Sequence, residues 1–113
     1  MSDCIFCKIV GGEIPAEVVH RTDRFVAFRD ISPKAPIHVL VIPVQHVASI
    51  TESAALSAEA RQEMPVFIAE TATILGLDNS GYRVATNHGD DARQAVHHLH
   101  WHILGGDLLS ESM

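Results

Sequence analysis

Apolar and polar positions alternate in short blocks along most of this chain, and only one stretch carries a helical period. Residues 4–10 (Cys-Ile-Phe-Cys-Lys-Ile-Val) form a brief apolar segment suited to a short helix, ended by Gly11-Gly12. Residues 18–21 and 25–28 read as two strands joined by the turn Thr22-Asp23-Arg24. Residues 31–36 predict a loop, because Pro33 and Pro36 block regular pairing. The run His38-Val-Leu-Val-Ile42 is rich in β-branched residues and predicts a central strand that Pro43 ends. Residues 53–77 hold the helical material. Ser57 caps it, Pro65 predicts a kink or a new start, and Gly76 closes it. Val66, Ile68, Ala69, Ala72 and Leu75 are spaced to form its buried face. Residues 82–86 predict a strand, 87–93 a polar loop, and 95–104 the last strand, closed by Gly105-Gly106. Five strands with hairpin-like connections, one main helix and a short N-terminal helix predict an α+β domain built on an antiparallel sheet.

The last strand carries the chemistry. Residues 98–104 read His-Leu-His-Trp-His-Ile-Leu. Side chains on a strand alternate faces, so His98, His100 and His102 project from one face, about 7 Å apart. Leu99, Trp101 and Ile103 then line the opposite, core-facing side. An affinity tag would be contiguous and terminal, whereas these histidines are interleaved with large apolar residues. Three imidazoles in a row suit phosphate chemistry or metal binding, because histidine titrates near neutrality and offers one nitrogen as acceptor while the other donates.

Composition narrows the class. With 113 residues, 47% hydrophobic and 19% charged, the chain is globular and of a length for one domain. No apolar run approaches a membrane span, and the N-terminus lacks a secretory pattern, which predicts a cytoplasmic protein. A formal net charge of −6 argues against a nucleic-acid backbone as the main partner but allows a small phosphorylated ligand. The two cysteines, Cys4 and Cys7, form a Cys-x-x-Cys. In a reducing compartment this spacing is a metal half-site or a redox pair. With no strand before it, the thioredoxin-like reading is the weaker one. A zinc site needs two more ligands, and the chain's eight histidines supply candidates that spacing alone does not separate.

The pattern His98-x-His100-x-His102 resembles the signature of the histidine triad (HIT) family. Phe28-Arg29-Asp30-Ile31-Ser32-Pro33, Ala35-Pro36, His38 and Val41-Ile42-Pro43 are similar to the central block of its Hint branch. Ile5-Phe6-x-Lys8-Ile9, Glu13-Ile14-Pro15, Asn87, Gln94 and Leu104-Gly105-Gly106 continue the likeness in order, over nearly all of residues 1–113. The resemblance implies one HIT domain and hydrolysis of purine nucleoside phosphoramidates, releasing AMP or GMP. Dinucleoside polyphosphate hydrolysis and a nucleotide-binding scaffold with little turnover stand as alternatives. It implies His100 as nucleophile, with His98 and His102 beside it on the strand and His38 supporting the site. Asp30 would accept the ribose hydroxyls. Ile5, Phe6, Ile9, Phe28, Arg29 and Ile31 would surround the base, while Asn87 and Gln94 reach ribose and phosphate. Phosphoryl oxygens would meet His102, Gln94 and main-chain amides near Val96. A backbone carbonyl would hold the spare proton of the nucleophile and set its tautomer.

Two departures fall in the phosphate loop: Ala95 stands where the Hint pattern often has Ser, and Arg93 where it has a small glycine. The resemblance also implies structural zinc on Cys4, Cys7, His46 and His98. Finally, it implies a two-fold homodimer in which helices pack, with residues 64–75 in the interface.

Overall fold

The computed structural model describes residues 3–111. Helix α1 (Ile5–Val10) precedes a hairpin of β1 (Val18–Arg21) and β2 (Phe25–Arg29), then β3 (Ile37–Pro43). Helix α2 (Ala58–Ile74) follows, then β4 (Tyr82–Thr86) and β5 (Trp101–Gly105). The five strands form one antiparallel sheet in the order β1-β2-β3-β5-β4, so the α+β expectation holds. Single 3-10 turns at Ile50–Ala55 and Asp90–Ala92 lie in the connections. Among the described residues, no helix is long and apolar enough to cross a membrane.

Period-two alternation divides the core between the two faces of the sheet. Phe25, Ala27, Val39, Val41, Leu99 and Ile103 pack under α2 with Phe67 and Ile68. Val26, Phe28, Leu40 and Ile42 point the other way and pack against Phe6 and Ile9 of α1. Covering both faces explains why β3 is apolar without a break after His38. At six residues α1 is too short to hold itself. It depends on Phe6, whose ring meets Phe28 edge-on at 5.5 Å.

Three expectations need correction. Helix α2 makes no new start at Pro65; it runs continuously from Ala58 to Ile74 with Ser57 capping Ala60 N. Pro65 and Arg61, whose carbonyl loses its helical donor there, both lie on the exposed side, where the loss costs least. The buried face of α2 is Ala60, Phe67, Ile68, Thr71 and Ala72, while Val66 is 55% exposed and Ala69 is exposed too. The large Phe67 ring, 5.5 Å from Phe25, sets the rotation of the helix and turns Val66 outward. Lastly, regular pairing of β5 begins at Trp101 and not at residue 95. The chain bends over residues 96–98, and Leu99 N donates to Val47 O at 2.8 Å instead of joining the ladder. The alternation nonetheless persists through the irregular part. Phe6 sits 6.0 Å from His98 and 5.1 Å from His100, and His100 sits 5.2 Å from His102, all on the α1 side.

Candidate active site

Strand register builds the centre. Leu40 lies opposite His102 and Leu104 opposite His38, so the two histidines are diagonal neighbours on one face of β3 and β5. Their rings meet through His38 Nε2 and His102 Nδ1, 2.9 Å apart. The main-chain N–H of Lys34 donates to His38 Nδ1 at 3.0 Å. Asp30 Oδ2 lies 3.5 Å from His38 Nε2, and Oδ1 accepts from Ser32 N at 2.8 Å, an Asx turn. Burial lowers the pKa of His38, against the pull of the Asp30 carboxylate. Burial also pushes His102 down to about 4, helped by its neighbours His100 and His38. Both rings are therefore neutral at pH 7. His102 Nε2 is buried and has no hydrogen-bond partner among the described residues.

His100 stands beside this pair, and its tautomer is fixed. Nδ1–H donates to the His98 carbonyl at 2.8 Å, which leaves Nε2 as a bare lone pair. This is the carbonyl lock that a histidine nucleophile requires.

The His98 side chain faces elsewhere. Its Nε2–H donates to the Pro43 carbonyl at 2.8 Å, so Nδ1 is bare. Cys4 Sγ lies 3.4 Å from that nitrogen, Cys7 Sγ 3.5 Å and His46 Nδ1 3.1 Å. Cys7 Sγ also lies 3.3 Å from His46 Nδ1. The four donor atoms fall within 4.8 Å of one another, a grouping that could hold a metal ion. The Cys-x-x-Cys therefore finds its partners in His46 and His98, two ligands that spacing alone did not single out. Burial pushes His98 down to about 4, opposed by the Pro43 bond, so the ring stays neutral and ready to ligate. With both nitrogens engaged, His98 has none left for a substrate.

The other expected residues divide by position. Phe6 and Phe28 are buried beneath the histidines as packing, and Ile9 is half-buried against them. Ile5 and Ile31 are the exposed apolar residues, the latter 98% exposed beside Asp30. Arg29 Nε donates to Glu17 Oε2 at 2.9 Å. Asn87 is half-buried in the loop after β4, Ala95 is exposed and Val96 half-buried. Gln94 departs from its expected role. Its Nε2 donates to Ala48 O at 2.7 Å and Val96 O at 3.0 Å, and its Oε1 accepts from Gly89 N at 3.0 Å. No amide N–H remains for a phosphate, so Gln94 braces the loop that carries the main-chain amides. Arg93 sits at φ 61°, the one non-glycine residue with positive φ among those described. The backbone there suits glycine, and an L-residue is strained by about 1 kcal/mol.

Sequence reasoning missed three main-chain groups: Lys34 N–H, Pro43 C=O and the Ala48 C=O that holds Gln94. It also missed the brace in which Ser49 Oγ meets His88 Nδ1 at 2.7 Å. Only the proximity of Pro33 and Pro36 to His38 hinted at a fixed loop there.

Comparison with known proteins identifies the family and the fold. The family model described as the HIT domain matches residues 11–109. The chain belongs to the HIT family. An uncharacterized HIT-like protein of Helicobacter pylori is 45% identical over 103 residues, covering 91% of this chain and 96% of its own. A HIT family hydrolase from Clostridium thermocellum superposes with a TM-score of 0.87 at 36% identity, covering 100% of this chain and 98% of the other. A histidine triad nucleotide-binding protein from Candida albicans gives a TM-score of 0.80 at 34% identity, covering 98% and 86%. In this HIT protein the span matched by the family model begins after Cys4 and Cys7, so the cysteine half of the cluster lies outside it.

Proposed function

We propose that this HIT protein hydrolyses purine nucleoside phosphoramidates through a covalent nucleotidyl-His100 intermediate. One observation carries the reading: a histidine nitrogen locked bare by a backbone carbonyl stands beside a buried, unpartnered imidazole nitrogen. His100 Nε2 attacks the α-phosphorus, the P–N bond breaks, and the leaving nitrogen departs as an amine after taking a proton from water. A second water then attacks the same phosphorus and passes a proton to the hydroxide left by the first, the bond to His100 breaks, and the nucleoside monophosphate leaves. Splitting the reaction lets a neutral imidazole serve as nucleophile and then as leaving group. His102 Nε2–H lies where charge develops on a phosphoryl oxygen. Asp30 accepts from the ribose hydroxyls with the lone pairs that Ser32 N leaves over. The exposed Ile5 and Ile31 flank the base, and Arg93 faces the phosphates. The names of the Clostridium thermocellum and Candida albicans relatives, a hydrolase and a nucleotide-binding protein, support the same reading.

Turnover of adenosine phosphoramidate should exceed that of diadenosine polyphosphates by at least about tenfold in kcat/KM, a difference of ~1.4 kcal/mol in transition-state stabilisation. The reverse preference would move the assignment to dinucleoside polyphosphates. Binding of AMP with no turnover of either would make the protein a nucleotide-binding scaffold.

We also propose zinc as the occupant of the Cys4, Cys7, His46 and His98 cluster. A tetrahedral ion with two sulfurs at ~2.3 Å and two nitrogens at ~2.0 Å spaces its donors about 3.3–3.8 Å apart. Four of the six separations, 3.1–3.5 Å, fit that frame with little adjustment, and all six lie within 4.8 Å. Four protein ligands close the site, so its role is structural: it ties α1 to the residues leading into β5.

A homodimer completes the proposal. β4 is an edge strand whose Tyr82 and Val84 are each 38% exposed. Together with Ile50, Met64, Ile68 and Trp101 they line an apolar groove against α2. A second copy covers this groove and pairs the open edge. Light scattering at micromolar concentration should give twice the chain mass, and Val84→Asp should reduce it to a monomer; a monomeric wild type refutes the dimer.

A further inference from the structure

We propose that the main-chain N–H of Lys34 decides which nitrogens of His38 and His102 carry protons, and thereby fixes His102 as a hydrogen-bond donor to the substrate. Only the last step, donation to a phosphoryl oxygen, rests on the hydrolase reading above.

The argument follows the chain of contacts. A peptide N–H can only donate, so His38 Nδ1, 3.0 Å from Lys34 N, must present a lone pair. In a neutral ring the proton then sits on Nε2. That atom lies 2.9 Å from His102 Nδ1, and two N–H groups cannot face each other at this distance. His102 Nδ1 therefore accepts, and its proton sits on Nε2. The Asp30 carboxylate, 3.5 Å from His38 Nε2, favours the same arrangement, since it too needs a proton on that nitrogen. The relay ends at His102 Nε2–H, a buried donor that has no partner among the described residues. A buried donor left without an acceptor is costly, and a bound oxyanion would relieve that cost.

The relay has two consequences. It is closed at its far end by an amide that does not release its proton, so His102 donates a hydrogen bond and is not a source of protons for the leaving amine. It also disarms a cluster that resembles a metal site. Asp30, His38 and His102 bring three donor atoms within 4.8 Å, but a proton on His38 Nε2 keeps that nitrogen from ligating. In the cysteine cluster the opposite holds: the Pro43 carbonyl draws the proton of His98 to Nε2 and leaves Nδ1 bare. One backbone donor and one backbone acceptor thus sort two histidine clusters into different chemistry.

The test is spectroscopic. Long-range proton–nitrogen correlation on histidine-labelled holoprotein at about pH 7.5 reads each tautomer directly. His38 and His102 should both carry the proton on Nε2, and His100 on Nδ1. In Lys34→Pro, which removes the amide proton, the His38 and His102 signals should move toward mixed tautomers while that of His100 stays in place. Turnover should fall about tenfold through kcat at unchanged KM, the signature of an interaction made in the transition state. A wild-type His102 protonated at Nδ1 overturns the proposal whether or not Lys34→Pro folds. The expected tautomers in a protein that does not turn over phosphoramidates would uphold the relay and refute the hydrolase reading.

Discussion

His100→Ala and His100→Asn should abolish turnover, with a loss of about 10⁴-fold or more, while AMP binds within about tenfold of its wild-type affinity. The expected asymmetry follows from what each residue does in the site. His100 Nε2 is the one lone pair that the backbone frees for attack, and no neighbouring group replaces it: His98 has both nitrogens engaged, and His102 presents a proton. In the proposed site, binding rests on other groups, namely Asp30, Ile5 and Ile31. The Phe6 ring packs edge-on against His100 at 5.1 Å, so Asn is the cleaner replacement; Ala leaves a void against that ring. His102→Ala should cost less, about 10²–10³-fold, the usual effect of losing one donor to a developing oxyanion. Rapid quenching followed by mass spectrometry should find the nucleotidyl group on the peptide containing residue 100. An adduct elsewhere, or a His100→Asn protein with most of its activity, would end the covalent mechanism.

With zinc in the cysteine cluster as proposed, stripping it should be the most damaging change to stability. An ion held at a free concentration about a thousand times its dissociation constant adds roughly 4 kcal/mol to the folded state. For a domain of this size its loss should lower Tm by about 15 °C. The damage should be local first. Helix α1 keeps few anchors beyond Phe6 and the two cysteines, so residues 4–10 should become the earliest site of proteolysis in the chelated protein. Cys7→Ser should reproduce both effects. Elemental analysis of reduced protein showing no zinc, or a Tm that chelation leaves unmoved, would refute the assignment.

Much of this architecture was legible because it is written in side-chain alternation. The β-branched run at 38–42 and the histidine–apolar repeat at 98–104 named the two strands that meet at the centre, and the sheet faces followed. The phase of α2 was not legible: Phe67 and Val66 are both apolar, and only packing against Phe25 decides which goes inside. The irregular approach to β5 was hidden for a related reason, since alternation continues through residues whose hydrogen bonds go to a loop. The groups that set the histidine tautomers left least trace. A peptide N–H at Lys34 or a carbonyl at Pro43 has no residue type to betray it. Gln94 was misread because its composition suits a phosphate as well as it suits three backbone groups, and only the distances separate the two.

That dependence on peptide groups has a consequence for how such a site tolerates mutation. The proton positions on His38, His98 and His100 are dictated by an N–H at residue 34 and by carbonyls at residues 43 and 98. A carbonyl is present whatever the side chain, and an N–H is present in all but proline. The exposed side chain at 34 can therefore drift widely, short of proline, without altering the chemistry of the imidazoles above it. Residue 98 goes further, for its side chain serves the cysteine cluster while its carbonyl serves the nucleophile. A lineage could discard the cysteines, refill that corner with apolar side chains, and still hold the proton of residue 100 on Nδ1.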